Sequence, residues 1–550
     1  MAPPKKGAIF LGAAMIDLNI KLSDIGSPIV PTDTGIRIGA SYVDFYIHRM
    51  IVGAVYFNDR RILVIARELA IADGYDGLPI TVHNNISDKA MDELNNNSRR
   101  TALAALVIEI NRDYRYPHVN IYNNHNPQSF LYFCVQDREI NGSWNLMKIA
   151  RRVNRNIVCD EFLSKWITLQ PQQYNNTTMF KNIYRTTINT DTLITADRVR
   201  IAELDCRDST YPRRLQREDR AKEILFEILT ECLTQRPLAE GKTAAEVSGG
   251  LDSSVVALAA SAVLTSTIAA SVNITTDKNN QTSRQRLVAD TLALNHVNVS
   301  IWDHLPFARS GARFCTQDTS YLAESFFEAF YHLTAILRRR GVDTILTGMG
   351  GDEAFPLFAG EADTSSGVKP IVRPSFIEPK AYLLAALPYV TRSFISSYHG
   401  SCAHSVTNRA ERFMNQGIWS VNPFAEPAMI QFGSSLPYAQ RSRRSILSDI
   451  LSGNNMPEFL DHKPTSFEPT LKVVAREVEG ILSSVWKNSI CAQRGLINTS
   501  CMRKIYDELI SEDGSSDEEL AYFAHILFFL QAELFLRVCE SSGIKLVYSG

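Results

Sequence analysis

The chain has 550 residues, of which 45% are hydrophobic and 21% are charged, and its formal net charge is −2. This length and apolar content predict a globular protein of two to four domains, each with its own core. The near-neutral charge argues against a dedicated nucleic-acid binder, which would carry a clustered basic surface. A small-molecule or peptide substrate fits this composition better.

Cysteine usage and the N-terminal residues predict the cellular compartment. The nine cysteines are scattered, and no CxxC pair occurs among them, so neither a disulfide framework nor a zinc site is expected. Residues 1–7 lead into only a short apolar run before Asp17, which makes a poor secretory signal. We therefore expect a cytoplasmic protein.

The first 210 residues have the pattern of an antiparallel sheet. Clusters of Gly, Asp and Asn separate four strand-like runs, which cover residues 36–46, 51–57, 61–65 and 129–135. A polar segment over residues 205–220 then reads as a linker. We predict one domain over residues 1–210 and a second over residues 211–550.

Helix-like and strand-like segments alternate over residues 218–360, which predicts an α/β fold with a parallel sheet. The predicted strands cover residues 243–247, 267–275, 297–302 and 343–347, and the predicted helices cover residues 220–234, 253–264, 282–294 and 320–339. Ligands of such sheets bind at the carboxyl ends of the strands. The first and fourth strands both end in a glycine-rich turn with an acidic residue, so both turns are expected to face one bound nucleotide.

The first turn has the composition of a phosphate-binding loop. Gly249 and Gly250 allow a tight turn and close approach of the backbone, and the following helix presents unpaired amide groups to an anion. The hydroxyl groups of Ser248, Ser253 and Ser254 are short enough to reach phosphate oxygens. No Gly-Lys-Ser/Thr element follows, which disfavours a Walker-type ATPase or kinase. The alternative is a Ser/Gly turn that only caps a helix.

An acidic residue in each turn implies a divalent cation. Asp252 would repel phosphates unless such a cation lay between them, which suggests Mg2+. The second turn begins at Gly348 and contains Asp352 and Glu353. Asp252 and Asp352 are therefore predicted to share the metal.

The two motifs together resemble a known family. Ser-Gly-Gly-Leu-Asp-Ser at residues 248–253 and Thr-Gly-Met-Gly-Gly-Asp-Glu-Ala-Phe at residues 347–355 resemble the synthetase domain of the asparagine synthetase superfamily. This superfamily includes asparagine synthetases, beta-lactam and carbapenam synthetases, and lasso-peptide cyclases. The resemblance implies an adenine nucleotide alpha-hydrolase-like domain that uses ATP to adenylate a carboxylate, releases pyrophosphate and lets an amine attack the acyl-adenylate.

The resemblance also implies roles for individual residues. The first turn and Gly348 would hold the nucleotide's phosphates, and backbone atoms at Val272 and Leu346 would contact adenine. His462-Lys463-Pro464-Thr465-Ser466-Phe467 resembles the family's Arg-x-Lys-x-x-Phe segment with one extra residue, so Lys463 would stabilise charge on pyrophosphate. A solvated lysine is the alternative. The general base stays open, with Glu426, in a segment similar to the family's Pro-Phe-Leu-Asp turn, and Glu353 as candidates by position.

The N-terminal region resembles, by position, a degenerate glutaminase-type amidotransferase domain with an antiparallel α+β fold. The family's nucleophilic cysteine follows the initiator Met, but this chain has Ala2, so we expect no glutamine hydrolysis. Met349 stands where asparagine synthetases usually have Glu and beta-lactam enzymes have Tyr. This departure favours similarity to lasso-peptide cyclases.

These features predict an ATP-dependent, AMP-forming carbon–nitrogen ligase that closes an intramolecular amide of the lasso-peptide or beta-lactam type, as in antibiotic biosynthesis. Its substrate would carry both a carboxylate and an amine, and a precursor peptide and a leader-processing protease are possible partners. The alternatives are an intermolecular ligase, an ammonia-dependent asparagine synthetase, and a non-catalytic ATP-binding protein. The apolar segment 520–538 is interrupted by polar residues, which predicts a buried packing helix rather than a membrane span.

Overall fold

The computed structural model describes residues 15–73, 79–113, 115–169, 174–203, 220–274, 281–308, 310–315, 326–358, 361, 373–388, 400–459, 468–511 and 517–548.

Two mainly antiparallel sheets form the first part of the chain. Their strands, with one short additional strand β12, are β1 (Ile16–Lys21), β2 (Ile29–Thr32), β3 (Gly35–Ile38), β4 (Ser41–Phe45), β5 (Ile51–Phe57), β6 (Arg61–Glu68), β7 (Ile80–His83), β8 (Ala105–Asn111), β9 (His118–Asn123), β10 (Tyr132–Gln136), β11 (Glu139–Ser143), β12 (Asn156–Ile157), β13 (Tyr184–Arg185), β14 (Thr190–Ile194) and β15 (Val199–Glu203). One sheet has the order β13-β10-β11-β1-β4-β3-β2, and the other has the order β15-β14-β9-β8-β6-β5-β7. The pairing of β5 with β7 is parallel.

Alternation along β6 shows how these sheets are buried. Ile62 and Val64 belong to the main hydrophobic core, whereas Leu63 and Ile65 pack in a separate cluster with Met91 of helix α1 (Asp88–Arg100). Successive side chains of a strand point to opposite faces, so this sheet is covered on both faces. A second helix, α2 (Leu146–Arg152), packs on β10 and β11 of the other sheet.

The prediction of antiparallel sheet is confirmed, with one correction. The single strand expected over residues 36–46 is wrong, because Gly39 has a φ of +59° and the chain turns there, giving the hairpin of β3 and β4. The strand expected at residues 51–57 is confirmed.

An all-parallel sheet organises the second part of the chain. Its strands are β16 (Thr243–Glu246), β17 (Ile268–Asn273), β18 (Asn295–Ser300), β19 (Thr344–Leu346) and β20 (Trp419–Val421), and a short strand β21 (Leu546–Val547) pairs with β12. The α-helices that follow α2 in the described residues begin with α3 (Asp160–Ile167), which still belongs to the first part of the chain. The others are α4 (Ala221–Thr234), α5 (Leu251–Val263), α6 (Gln281–Thr291), α7 (Ala312–Cys315), α8 (Phe327–Arg339), α9 (Gly351–Ala354), α10 (Pro379–Ala385), α11 (Gly400–Asn415), α12 (Pro427–Ser435), α13 (Tyr438–Arg441), α14 (Ser445–Gly453), α15 (Glu468–Glu477), α16 (Glu479–Lys487), α17 (Ile490–Gln493), α18 (Thr499–Ser511) and α19 (Asp517–Ser541).

The strand order β18-β17-β16-β19-β20 places a switch point at β16. The chain proceeds from β16 to β17 on one side and later returns to β19 on the other side. In sheets of this type, ligands bind in the crevice outside the carboxyl ends of the strands at such a point. The predicted α/β fold with a parallel sheet is confirmed, and the turns after β16 and β19 meet at this crevice.

Helix α19 is the apolar segment that raised the membrane question. Over Glu518–Ser541 it is long and apolar enough to cross a membrane, but 72% of its most apolar window is buried within the protein. The indole nitrogen of Trp166 in α3 donates a 3.0 Å hydrogen bond to the carbonyl oxygen of Phe528. These contacts agree with the predicted role as a buried packing helix.

Ion pairs, some of them fully buried, connect the two parts of the chain. The Arg236 side chain, which is 2% exposed, lies between Glu68 of β6 and Glu426, with its Nε 2.8 Å from Glu68 Oε1 and its Nη2 2.6 Å from Glu426 Oε1. A second pair joins Arg49 Nη2 to Asp343 Oδ1 at 2.6 Å. Ion pairs therefore hold the two parts together, in addition to the hydrophobic core that they share. The division at residue 210 stays a prediction.

Candidate active site

The turn after β16 forms a well-defined backbone cradle at the start of α5. Gly249 has a φ of +79°, and Gly250 precedes the helix in an extended conformation without a side-chain cap. The first amide groups of a helix have no partner within the helix, so this N-terminus can receive an anion.

Side chains within the turn and from α6 fix its shape. The amide of Ser248 donates to Ser253 Oγ at 3.1 Å, and Ser254 Oγ donates to the carbonyl oxygen of Gly250 at 2.7 Å. Arg284 Nε of α6 donates to the carbonyl oxygen of Gly249 at 2.8 Å. Because a trans peptide holds its C=O and N–H antiparallel, the amide of Gly250 points away from α6, and it donates to Ser248 Oγ at 3.3 Å. The predicted phosphate-binding residues are thus brought together in one preorganised loop.

The turn after β19 packs directly on this cradle through glycines. A Cβ atom on Gly348 would lie 2.5 Å from the backbone nitrogen of Ser253, and one on Gly351 would overlap the Asp252 carboxyl group. Gly350 has a φ of +91°, a conformation that L side chains rarely adopt. The glycines therefore allow the two turns to touch.

We expect Gly348→Ala to damage the site, because backbone atoms of Ser253 cannot move aside cheaply. The variant should lower the free energy of unfolding by about 1–3 kcal/mol and should weaken ATP binding measured by calorimetry. Gly480→Ala in α16 is the matched control, since nothing lies within 4 Å of its Cβ position. An alanine there should be neutral or stabilising. Equal behaviour of the two variants would contradict the close packing of the turns.

The two predicted magnesium ligands, Asp252 and Asp352, both contact the guanidinium group of one arginine. Nη1 of Arg444 contacts Asp252 Oδ2 and lies 2.6 Å from Asp352 Oδ1. Arg444 precedes α14, almost two hundred positions after Asp252. Sequence reasoning identified both carboxylates but missed this arginine, because only the folded chain brings it to them.

The surroundings of Asp252 suit the binding of a further cation. Burial raises the pKa of Asp252 to about 6, although Arg444 acts in the opposite direction. Its Oδ1 is buried and has no hydrogen-bond partner among the described residues. Asp352 is more open, with 78% of its side chain exposed. Two carboxylates at the edge of a phosphate cradle fit Mg2+, which typically combines one or two carboxylates with phosphate oxygens and water.

Within the described residues, no group of three or more His, Cys, Asp or Glu side chains could hold a metal ion alone. The two carboxylates would therefore need the nucleotide's phosphates to complete the coordination. This requirement makes the metal site and the nucleotide site interdependent.

The candidate bases have other partners. Glu353 Oε1 accepts a 2.7 Å hydrogen bond from Ser401 Oγ. Glu426 is buried in the ion pair with Arg236, and burial raises its pKa. The geometry thus gives Glu426 a structural role, and the assignment of Glu353 or Glu426 as the base stays a prediction. Lys463 lies outside the described residues.

The residues expected to contact adenine lie in the parallel sheet. Val272 is in β17, near its carboxyl end, and its carbonyl oxygen accepts a 3.2 Å hydrogen bond from Gln285 Nε2. Leu346 is the last residue of β19 and pairs with Val421 of β20. Adenine contact at both positions stays a prediction.

Asn422 is a second residue near the crevice that sequence reasoning did not single out. Its Oδ1 accepts a 2.6 Å hydrogen bond from Thr347, which precedes the second glycine-rich turn, and its Nδ2 donates to Gln128 Oε1 at 3.2 Å. Because Gln128 belongs to the first part of the chain, this side chain links the crevice to the antiparallel sheets. The short strand β20 that positions it was not predicted.

Comparison with known proteins identifies the type of domain. Residues 225–367 match the family model for asparagine synthase. No curated protein matches the chain. The matched segment contains both glycine-rich turns and strands β16 to β19. It supports the asparagine synthetase superfamily, and with it ATP-dependent amide-ligase chemistry, for this part of the chain.

Proposed function

We propose that the protein is an ATP- and magnesium-dependent cyclase that forms an amide bond within one substrate molecule. A carboxylate oxygen of the substrate attacks the α-phosphorus of ATP, which breaks the bond to pyrophosphate and gives an acyl-adenylate. An amine of the same molecule then attacks the acyl carbon, AMP leaves, and the amine loses a proton. The observation that best supports this proposal is the contact of the two turns, which brings Asp252 and Asp352 together beside the start of α5.

The chain's own residues supply binding and orientation. The backbone and hydroxyl groups of residues 248–254 would hold the pyrophosphate portion, and Asp252 and Asp352 would hold the magnesium ion. When bound, magnesium neutralises the charge that develops on the leaving pyrophosphate. Lys463 is proposed to stabilise the same charge.

The cyclase subtype rests on Met349. Its side chain packs against a hydrophobic cluster that includes Tyr174 and Ala425. A thioether in such a place neither donates nor accepts a proton, so Met349 itself supplies no base for the amine. The proposal therefore leaves the base unassigned, with Glu353 and Glu426 as candidates by position, and an amine with a lowered pKa would need little help from a base. Met349 favours a product of the lasso-peptide type, and a product of the beta-lactam type is proposed only on the resemblance of the two glycine-rich turns.

The alternative is an intermolecular ligase, including an ammonia-dependent asparagine synthetase, which would share the adenylation step. The asparagine synthase match supports this alternative equally well. A precursor peptide, a leader-processing protease and a cytoplasmic location belong to the cyclase proposal.

Incubation with ATP, Mg2+ and candidate acids tests the chemistry. We expect AMP and pyrophosphate, detected by chromatography, and acid-dependent exchange of labelled pyrophosphate into ATP. Formation of ADP and phosphate would refute adenylation. Cyclisation predicts a product that has lost one water and whose yield is insensitive to added ammonia or free amines, whereas an intermolecular ligase would incorporate the added amine.

A further inference from the structure

The backbone before α14 has an unusual conformation. Arg443 and Arg444 both lie in the left-handed region, with φ values of +52° and +53°. This region is uncommon for residues other than glycine and costs free energy. Two successive residues hold it here, and the second directs its guanidinium group onto Asp252 and Asp352. Strain of this kind persists where surrounding contacts compensate for it.

The contacts between Arg444 and the two carboxylates involve only some of the available oxygen atoms. One nitrogen, Nη1, serves both carboxylates. Asp252 Oδ1 remains buried and has no hydrogen-bond partner among the described residues. The arginine therefore neutralises one of the two negative charges. It leaves one carboxylate oxygen, Asp252 Oδ1, available to bind a further cation.

We infer that Arg444 is an exchangeable counter-ion of the carboxylate pair. It holds Asp252 and Asp352 together in the metal-free protein and leaves them when a divalent cation binds. The two cations compete, because a divalent cation ligated by both carboxylates would lie beside the guanidinium group, and like charges at such a distance repel each other. The inference rests on the proposed function only in taking magnesium with ATP as the natural occupant.

The released guanidinium group remains tethered at the crevice. Arginine binds phosphate oxygens through several donors, so the triphosphate is the partner available to it there. Arg444 would thus oppose the binding of a bare metal ion and favour the binding of metal together with nucleotide. These two effects have opposite signs, which distinguishes them from general damage to the site.

Arg444→Gln tests the exchange with Mn2+ as the probe, measured by electron paramagnetic resonance of the free ion. Without nucleotide, the variant should bind Mn2+ about tenfold more tightly than the wild type, as expected if the arginine occupies the pair about nine-tenths of the time. In saturating Mg2+, the same variant should bind ATP about tenfold more weakly in calorimetry, a loss typical of a charged hydrogen bond.

Arg443→Gln is the matched control, because that residue shares the backbone conformation, is exposed and has no ion pair among the described residues. It should behave as the wild type does in both measurements. Adding Asp252→Asn to Arg444→Gln should abolish the gain in Mn2+ affinity. Unchanged or weaker Mn2+ binding by Arg444→Gln, or a gain that survives Asp252→Asn, would overturn the inference.

Two further outcomes keep the tests separate. If neither the wild type nor any of the variants binds ATP, the proposed function is refuted. The Mn2+ titration would still decide whether a divalent cation displaces Arg444. If Arg444→Gln does not fold, the wild-type protein provides the answer through hydrogen exchange. Amides of residues 438–450 should exchange faster when Mn2+ is added, and unchanged exchange would overturn the inference.

Discussion

Replacing Arg236 with methionine is expected to lower the free energy of unfolding by about 3–5 kcal/mol. The side chain is 2% exposed and pairs with both Glu68 and Glu426, whose side chains are 2% and 9% exposed. Methionine fills a similar volume but leaves two buried carboxylates without their cation. The loss is measured from urea unfolding midpoints, and it should be smaller at low pH, because burial raises the pKa of Glu426 and this carboxylate then takes up a proton.

Two variants provide the controls for this prediction. Arg220→Met removes an exposed arginine that is 3.5 Å from Glu227, so it should change stability by less than about 1 kcal/mol. Combining Glu68→Gln, Arg236→Met and Glu426→Gln removes the whole charge group and should recover much of the loss. A single Arg236→Met variant as stable as the wild type would show that this group does not hold the two parts of the chain together.

Asp252→Asn is expected to reduce formation of AMP and pyrophosphate by at least about a hundredfold, since it removes an anionic metal ligand. Asparagine has nearly the same shape, and burial already disfavours the charged carboxylate, so the fold should be retained. The measurement is initial rate at saturating ATP, with circular dichroism to check folding. Asp449→Asn, at a half-exposed residue 3.1 Å from Lys222, is the control and should keep full activity. Retained activity in Asp252→Asn would refute the site assignment.

The sequence predicted those parts of the site that depend on local pattern. Both glycine-rich turns are short and follow apolar strand-like runs. The meeting of Asp252 and Asp352 could therefore be anticipated from the rule that ligands of parallel sheets bind at the carboxyl ends of the strands. Arg444 could not be anticipated, because its position depends on a left-handed turn and on a distant helix. The ion pair of Glu426 could not be anticipated for a related reason. Its partner Arg236 follows another helix, and sequence alone does not reveal a buried ion pair.

Boundaries and short elements account for the remaining differences in the fold. Strand β20 has three residues, too few to show a period, and its existence depends on pairing with β19. The hairpin at residues 35–45 was read as one strand because apolar and β-branched residues continue on both sides of Gly39. In each case tertiary pairing, rather than local propensity, determines the element.

The central position of β16 has a consequence for how the protein folds. Ala244 pairs with Ile268 on one side and with Ile345 on the other, so one neighbour follows soon after it in the chain and the other follows much later. Closing the longer loop costs more entropy and is slower. During synthesis, the chain can therefore form the glycine-rich turn after β16 before the residues of the turn after β19 have been added. We expect an intermediate of this kind to bind phosphate-containing ligands weakly and without dependence on a divalent cation, and nucleotide with metal to favour completion of the sheet.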